Sequence, residues 1–438
     1  MMNDNNEDLP SYSQATGDGP PSYCDAILSL TSSAGGAMIY PYDFYGANLS
    51  LTDLVNKANS WLNLPDYKKL DVASVEIVDI KTREPMDPQR LTYSYNSQGN
   101  NPFMRALRLW LKQSKIDTLR PPRIGHLVRS PSFDYQCDSV SRLVEQLSSQ
   151  ASHISIVPGR IVSIRSVRHK VKSIFVEAGA ERTSYTVKSE TDTRFYTAIH
   201  VFYLEDDVPV KGTIAKQDFI ARGIGFSNTS SRESYSALFA RASAWIDSNI
   251  THRSSMQFIN MESIYVKIKD ADISDTDRVI YTLHHDKQTY FTIAIRVWYF
   301  HSIAQDMLHS NALPALPSPL TRSVYLKTFV PRRLHAGNDD PHEYEGIRSL
   351  KKKVEFWIKA TQAQVLGVET MAVRMYSGGL QKYERAEATT THNRPGREHW
   401  LYIFRFHING PYSEPPDSHP SLSGEHMISN YDNNCAIS

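Results

Sequence analysis

The chain has 438 residues, and apolar side chains make up 40% of it, which is typical of a folded protein with several hydrophobic cores. A net charge of +1 argues against binding to nucleic acid or membranes through one strong global field. Three cysteines, Cys24, Cys137 and Cys435, are too few for a disulfide framework, so a reducing, cytoplasmic environment is expected. The sequence shows neither a secretory signal nor an apolar run of transmembrane length.

Residues 1–37 are rich in Ser, Gly, Pro, Asp and Asn, a composition that predicts a disordered tail. Two short motifs lie within this tail. Pro20-Pro21-Ser22-Tyr23 resembles the Pro-Pro-x-Tyr ligands of WW domains, and Leu9-Pro10-Ser11-Tyr12 resembles their Leu-Pro-x-Tyr variant.

This resemblance implies a WW-domain partner, and the residues that would bind it are Pro20, Pro21 and Tyr23, with Leu9, Pro10 and Tyr12 in the second copy. Prolines preset an extended polyproline II segment, so docking on an aromatic groove costs little entropy, and the Tyr ring fills a neighbouring pocket. Proteins with such motifs commonly recruit HECT-type ubiquitin ligases, which is the partner class implied. The alternative is that a proline-rich tail contains the pattern by chance.

One amphipathic helical pattern occurs four times along the chain. In its clearest copy, apolar residues from Leu51 to Leu62 recur at the spacing of one helix face and end with Trp61. The same stripe recurs with Trp245 and with Trp357, and again from Val140 to Ala151 without the Trp. A large ring at one place in three copies indicates a repeated core anchor.

Alternating strands follow each helix, and they match most closely between the first and third copies. The segments around Trp110 and Trp298 align without a gap, with Arg108 and Arg296 two residues before them. This internal duplication predicts that Trp110 and Trp298 are equivalent anchors on equivalent strands.

The predicted fold is α+β, with four tandem repeats that each pack one helix on a four-stranded antiparallel sheet in the order strand-helix-strand-strand-strand. This order resembles the cystatin-like topology; the Gln-Val-Val-Ala-Gly loop of inhibitory cystatins is absent, so the resemblance implies a fold and no activity. The predicted organisation is a tail at 1–37, repeat one at 38–116, repeat two at 124–208, repeat three at 213–304, a proline-rich linker at 305–321, repeat four at 322–412 and a loose tail at 413–438.

Four further patterns favour structure over chemistry. The two Asp-x-x-Arg-x-x-Tyr sets that end at Tyr93 and Tyr281 are interpreted as hairpins, and the acidic run from Asp270 to Asp277 as a solvated turn that lacks the calcium-loop Gly and Glu. The histidines His284, His285, His301, His335 and His342 are interpreted as surface residues, and the basic stretch 160–172 as a solvated face. We therefore expect no metal or cofactor site. Nucleic acid is disfavoured as a partner, so a nucleic-acid-binding repeat protein is only a lesser alternative.

Three functions remain open at this stage. The first is a non-enzymatic adaptor whose repeats bind a protein and whose tail recruits a WW-domain protein. The second is a self-assembling structural protein, with the tail motif acting as the late-domain motifs of viral structural proteins do. The third is an enzyme, which is disfavoured because no catalytic set of residues is repeated.

Overall fold

Antiparallel sheets dominate the structure, which is a computed structural model. It describes residues 39–46, 49–67, 70–82, 90–96, 99–113, 121–131, 139–147, 157–171, 179–188, 192–205, 212–223, 232–251, 256–268, 275–284, 289–302, 323–334, 344–378, 381–384, 386–393 and 397–415. The two tail motifs and their six WW-binding residues lie outside these ranges.

The described elements follow in chain order: β1 (Ile39–Phe44), α1 (Leu51–Leu62), β2 (Leu70–Lys81), β3 (Thr92–Asn96), β4 (Asn101–Gln113), β5 (Ile124–Arg129), α2 (Val140–Glu145), β6 (Gly159–Lys170), β7 (Ser184–Val187), β8 (Thr193–Glu205), β9 (Gly212–Ile220), α3 (Tyr235–Ile246), β10 (Met256–Lys267), β11 (Ile280–Leu283), β12 (Thr289–Ser302), β13 (Val324–Phe329), α4 (Ile347–Thr361), β14 (Val365–Gly378), β15 (Gln381–Glu384), β16 (Thr390–Asn393) and β17 (Arg397–Asn409). A short 3-10 turn, Pro65–Tyr67, follows α1, and a π turn, Asp247–Thr251, follows α3.

These strands form four antiparallel sheets, here called blades 1 to 4, that are arranged in a ring. Each blade has an outer strand, a long central strand and an inner strand from one stretch of chain. In this order the strands are β1, β4 and β2 in blade 1, β5, β8 and β6 in blade 2, β9, β12 and β10 in blade 3, and β13, β17 and β14 in blade 4. The inner strands β2, β6, β10 and β14 each lie beside the next, and β14 returns to β2.

Each blade is completed by a short strand that comes from the following repeat. Strand β7 pairs with β4 of blade 1, β11 pairs with β8 of blade 2, and β16 pairs with β12 of blade 3. The ring closes because β3, from the first repeat, pairs with β17 of blade 4. We call β3, β7, β11 and β16 the exchanged strands.

The predicted fourfold repeat of small antiparallel sheets is confirmed, and the finer prediction of one helix on its own four-stranded sheet is wrong. A repeat donates its third strand to its neighbour, so it is not a closed cystatin-like unit. The helical layer is also uneven, since α2 has 6 residues while α4 has 15. The sequence pattern does not reveal the exchange, because a strand of 4 residues can form its hydrogen bonds with either of two central strands. Its alternating pattern is the same in both places.

The helix N-termini link one repeat to the next. Ser50, Ser139 and Ser234 cap α1, α2 and α3 by accepting a backbone N–H bond from the third helical residue. A carboxylate from the segment before an exchanged strand then accepts the N–H of the second helical residue. These carboxylates are Glu181 on Thr52, Asp277 on Ser141 and Glu387 on Ser236, at 2.8–2.9 Å.

The tryptophan anchors differ in burial. Trp110 and Trp298 are fully buried on the equivalent central strands β4 and β12. On the helices, Trp61 and Trp357 are buried, and Trp61 stacks on Tyr67 with ring centroids 3.9 Å apart. Trp245 is only half-buried, and it lies between the rings of Phe219 and Tyr299 at 6.0 and 5.5 Å. The three helix tryptophans therefore do not contribute equally to the core.

We expect Trp357→Ala to lower the free energy of unfolding by about 3–5 kcal/mol, because it removes a fully buried indole from the core of blade 4. Trp245→Ala is the matched control on the equivalent helix position. It should cost only about 1–2 kcal/mol, since part of its ring already contacts solvent. Urea unfolding followed by circular dichroism measures both values, and equal losses would contradict the difference in burial.

Candidate functional site

A ring of charged side chains lies at the centre of the molecule, one on each inner strand. These residues are Glu76, Arg165, Glu262 and Glu369, all nearly fully buried. Their direct partners across the central strands are Arg108, His200, Arg296 and Arg405. Three blades therefore place a glutamate opposite an arginine, while blade 2 places an arginine opposite a histidine.

The three glutamates connect neighbouring blades. Each accepts a backbone N–H from the preceding inner strand: Glu76 from Thr370 at 2.7 Å, Glu262 from Ser166 at 2.9 Å and Glu369 from Ser263 at 2.8 Å. At the axis, the edge of one inner strand cannot form backbone hydrogen bonds with the edge of the next. The glutamate side chains therefore accept the backbone N–H groups that would otherwise be buried without partners.

Indole groups complete the pattern in blades 1 and 3. The Nε1–H of Trp110 donates to Glu76, and that of Trp298 donates to Glu262 at 2.9 Å. In the same two blades Arg108 binds Asp43 with both ends of its guanidinium, and Arg296 binds Asp218 in the same way. This equivalence explains why both tryptophans follow an arginine by two residues.

Blade 4 lacks the indole at this position, which is occupied by His407. Both ring nitrogens of His407 and the Oε1 of Glu369 are buried without a hydrogen-bond partner among the described residues. Burial raises the pKa of Glu369 and lowers that of His407 to about 3. Among the described residues of the charged ring, blade 4 therefore leaves the most buried polar atoms without hydrogen-bond partners.

A cavity of about 340 Å³ lies on the axis beside the charged ring, at the ends of the inner strands. Its walls are aromatic. Each central strand contributes one ring at an equivalent position, and three of the exchanged strands contribute a tyrosine paired directly with that ring. The pairs are Phe103 with Tyr185, Phe195 with Tyr281, and Trp400 with Tyr93, while Phe291 pairs with Thr391.

In each blade, a cation of the inner strand continues the line formed by the paired side chains. We call each of these four lines an aromatic row. On the other side of the central-strand ring, the directly paired residue of the inner strand is Lys81 in blade 1, Lys170 in blade 2, Lys267 in blade 3 and Arg374 in blade 4. The Lys81 ammonium lies 5.0 Å from the centroid of the Phe103 ring. The rows thus place aromatic rings around the cavity, and of their four cations Lys267 lines it directly.

Arg168 and Arg278 are the exposed cations of the cavity wall within the described residues. The Arg168 guanidinium donates to the Tyr281 hydroxyl at 3.0 Å and lies 5.8 Å from the Tyr265 ring centroid. Within the described part of the chain, no carboxylate forms an ion pair with it. Because Arg168 is exposed to solvent and also lines the cavity, the cavity opens to solvent.

A chain of three imidazoles crosses blade 2 from its outer strand to its inner strand. His126 Nε2 lies 3.0 Å from His200 Nδ1, and His200 Nε2 lies 2.9 Å from His169 Nε2. Arg105 closes one end, 3.3 Å from His169 Nδ1, and Glu181 stands 3.8 Å from His126 Nδ1 at the other.

The guanidinium of Arg105 determines the tautomer of every ring in this chain. Arginine only donates, so His169 Nδ1 must accept and its Nε2 carries the proton. His200 then accepts at Nε2 and donates from Nδ1 to His126. All three rings are neutral, and a further proton would set two donors against each other. Burial accordingly lowers the pKa of His126 to about 4, and it holds the pKa values of His169 and His200 well below their usual range, with Arg105 adding to the effect.

The described part of the basic stretch 160–172, up to residue 171, is not a solvated face, which corrects the prediction. Arg165 is buried and donates to the carbonyl oxygens of Val75 and Val368, at 3.3 and 2.7 Å. Arg168 lines the cavity, and His169 belongs to the imidazole chain. A neutral net charge hid a local concentration of buried cations, because the charge of a whole chain says nothing about one strand.

The remaining candidate patterns have structural positions. Asp277, from the acidic run, caps α2, and Tyr93 and Tyr281, from the repeated Asp-x-x-Arg-x-x-Tyr sets, line the cavity. His284 and His301 are exposed, with His284 2.9 Å from Asp192. Among the other predicted histidines, His285, His335 and His342 lie outside the described residues.

The chain matches no family model, no curated protein and no solved structure in the comparisons made. In the described part of the chain, no helix has the length and apolar character needed to cross a bilayer.

We expect the free energy of unfolding to fall as the pH falls from about 7 to about 5. The buried histidines are neutral when folded and titrate near a pKa of about 6.5 when unfolded, so the unfolded chain binds more protons below that pH. Each such histidine removes up to about 1.4 kcal/mol per pH unit, and the loss is largest in the lower part of this window, where the unfolded imidazole is fully protonated.

The measurement is urea unfolding at several pH values, with His126→Phe compared with the unaltered chain. The phenyl ring keeps the stack on Phe202 and removes one titrating group, so the slope should fall by about one proton. His301→Phe, at an exposed position, is the matched control. An unchanged slope in His126→Phe would show that the imidazole chain does not couple folding to protons.

Proposed function

We propose that this protein is a non-enzymatic adaptor, in which the ring binds one partner and the N-terminal tail recruits a WW-domain protein, of the kind found in HECT-type ubiquitin ligases. One observation carries the proposal: the chain enters the ring at one end, and the central cavity lies at the other end.

This separation follows from the strand registers. Strand β1 begins at Ile39, which pairs with Lys112 at the far end of β4, whereas the cavity lies at Phe103 near the beginning of β4. Nine residues of extended strand separate the two ends by about 30 Å. The last strand also ends at the tail side, since Asn409 pairs with Val324 while Trp400 lies at the cavity. The chain therefore enters its first described strand at the end of the ring opposite to the cavity.

A closed ring suits this role, because its strands hold the binding surfaces in fixed positions. The exchanged strands connect every blade to the next, so a ligand meets side chains from four blades without prior ordering of separate domains.

Self-assembly is the second candidate, and the outer strands speak against the simplest route to it. An unpaired strand edge is where sheets of different molecules join. Here Asn59 of α1 exchanges two hydrogen bonds of 2.8 Å with Ile124 of β5, and Lys351 of α4 donates to the Pro41 carbonyl of β1 at 2.9 Å. The helix of one repeat thus occupies part of the outer edge of the next blade. Light scattering separates the candidates, since a monomer supports the adaptor and a large homo-oligomer supports assembly.

The adaptor proposal predicts that a peptide of residues 5–30 binds isolated WW domains in the micromolar range in calorimetry. Tyr23→Ala should abolish most of the binding, because it empties the pocket that the ring fills. Tyr12→Ala should weaken it less, since Leu9 replaces the first proline of that motif. On a tandem WW protein both motifs together should bind more tightly than either alone.

Ser22→Ala is the control peptide, because the third position of the motif is variable. The full chain should retain a WW protein on a column, and residues 38–412 should not. Equal binding by the Tyr23→Ala peptide, or no heat with any WW domain, would contradict the proposal.

A further inference from the structure

The central cavity carries the features of a ligand site that is independent of the tail. Its volume of about 340 Å³ is near the lower end of the range for small-molecule pockets, about 300–1,000 Å³, which is too small for a helix or a folded partner. Its wall combines half-exposed aromatic rings with exposed positive charge.

The charged groups of the cavity wall determine which sign of charge is favoured in a ligand. Two carboxylates at the axis are occupied, since Glu76 and Glu262 take indole and backbone N–H donors. Asp79 lies 3.3 Å from Arg105, and Glu369 accepts the Ser263 N–H while its Oε1 stays without a hydrogen-bond partner among the described residues. Arg168, in contrast, has only neutral groups as its hydrogen-bond and ring partners in the described residues. An exposed guanidinium that faces a cavity favours an anion, and its planar fork suits a phosphate.

Further cations stand close to this guanidinium in the chain and in space. Lys170 is two residues along the same strand and donates to the Thr186 carbonyl, and Lys188 and Arg182 near it help to lower its pKa. Lys267 of blade 3 also lines the cavity. An anion at Arg168 therefore has Lys267 and Arg278 as further cations of the same wall, while Asp79 is the acid whose charge acts on Arg168.

The rings select the shape of the ligand. Phe195 and Tyr281 stack with an interplanar angle of 14°, and Trp400 stacks with Tyr93 at 6°, so flat aromatic faces repeat around the wall. Bases stack on such faces with little regard to their identity. A phosphate alone would use the cations and leave the rings without a role.

We propose that this cavity binds a nucleotide, with the phosphate on Arg168 and the base against the aromatic rows. The nucleotide is free in solution or is an unpaired residue of a single strand, since both present the same base and phosphate. The cavity is separate from the tail, so a test of nucleotide binding and a test of the adaptor function can succeed or fail independently.

Calorimetry with the full chain tests the proposal with AMP, UMP, adenosine, ribose 5-phosphate and a uridine decamer. AMP should bind, whereas adenosine lacks the charge and ribose 5-phosphate lacks the base, and each should bind at least about tenfold more weakly. A decamer that binds more tightly than UMP identifies the single strand as the source, and equal affinities identify the free nucleotide.

Arg168→Gln should weaken AMP binding at least about tenfold, because it removes the charge and keeps a hydrogen-bonding amide of similar reach. Lys352→Gln, which removes one positive charge from an exposed position on α4, is the matched control and should bind as the unaltered chain does. Tyr281→Phe keeps the ring and removes the hydroxyl that holds Arg168, so it should weaken binding by a smaller factor. It also decides the matter if circular dichroism shows that Arg168→Gln is unfolded.

Four results would overturn the proposal. These are no heat with any nucleotide at millimolar concentration, AMP affinity unchanged in Arg168→Gln and in Tyr281→Phe, equal binding of ribose 5-phosphate and AMP, or binding of polyglutamate where nucleotides fail. The last result would identify the cavity as a site for acidic peptides.

Discussion

The exchanged strands are the constraint on which the rest of the structure depends. Each central strand has a partner on one side from its own repeat and, at its cavity end, a partner from the next repeat. A single repeat would expose an unpaired strand edge at that end, with the backbone groups that water or aggregation would then satisfy. Four copies remove the problem only when the first meets the last, as β3 does with β17. Pairs so distant in sequence also make folding slow, because long loops must close first.

Ring closure brings the four inner strands together at the axis, and this produces the buried charges. Inner strands that meet at an angle cannot form a continuous hydrogen-bonded ladder, so a side chain must reach across to the neighbouring backbone. A glutamate does this in three blades, and the opposite arginine compensates its charge, as Arg108 does for Glu76. Burial of an ion pair is costly unless hydrogen bonds satisfy both members. In blades 1 and 3 the indole and the outer aspartate supply them, and in blade 4 the corresponding partners are missing.

The sequence predicts the features that each repeat determines for itself. The apolar stripe from Leu51 to Leu62 forms a helix as expected, and Trp110 and Trp298 have the same partners because their repeats are duplicates. Strand exchange was not predictable from the pattern, since Ser184–Val187 has the same alternation whichever sheet it joins.

The site was hidden for a related reason: its residues are far apart in sequence and meet only at the axis. His126, His169 and His200 share no motif, and only an alignment of all four repeats shows that His200 replaces the arginines 108, 296 and 405. The basic stretch contained Arg168, but strand alternation places its members in different surroundings. Periodicity within one segment therefore identifies the core, while comparison between the repeats identifies the positions that differ.

Those differences bear on what the cavity can bind. One level of its wall is formed by equivalent positions on the four inner strands, and the residues there are Asp79, Arg168, Tyr265 and Ala372. These side chains are an acid, a base, an aromatic ring and a methyl group, although the strands that carry them are equivalent. A symmetric ion on the axis would be served by four identical ligands, as a fourfold repeat readily supplies. A wall with four different chemistries instead fits a ligand with distinct ends, such as one with an anionic group and a flat ring, whose orientation each blade helps to determine.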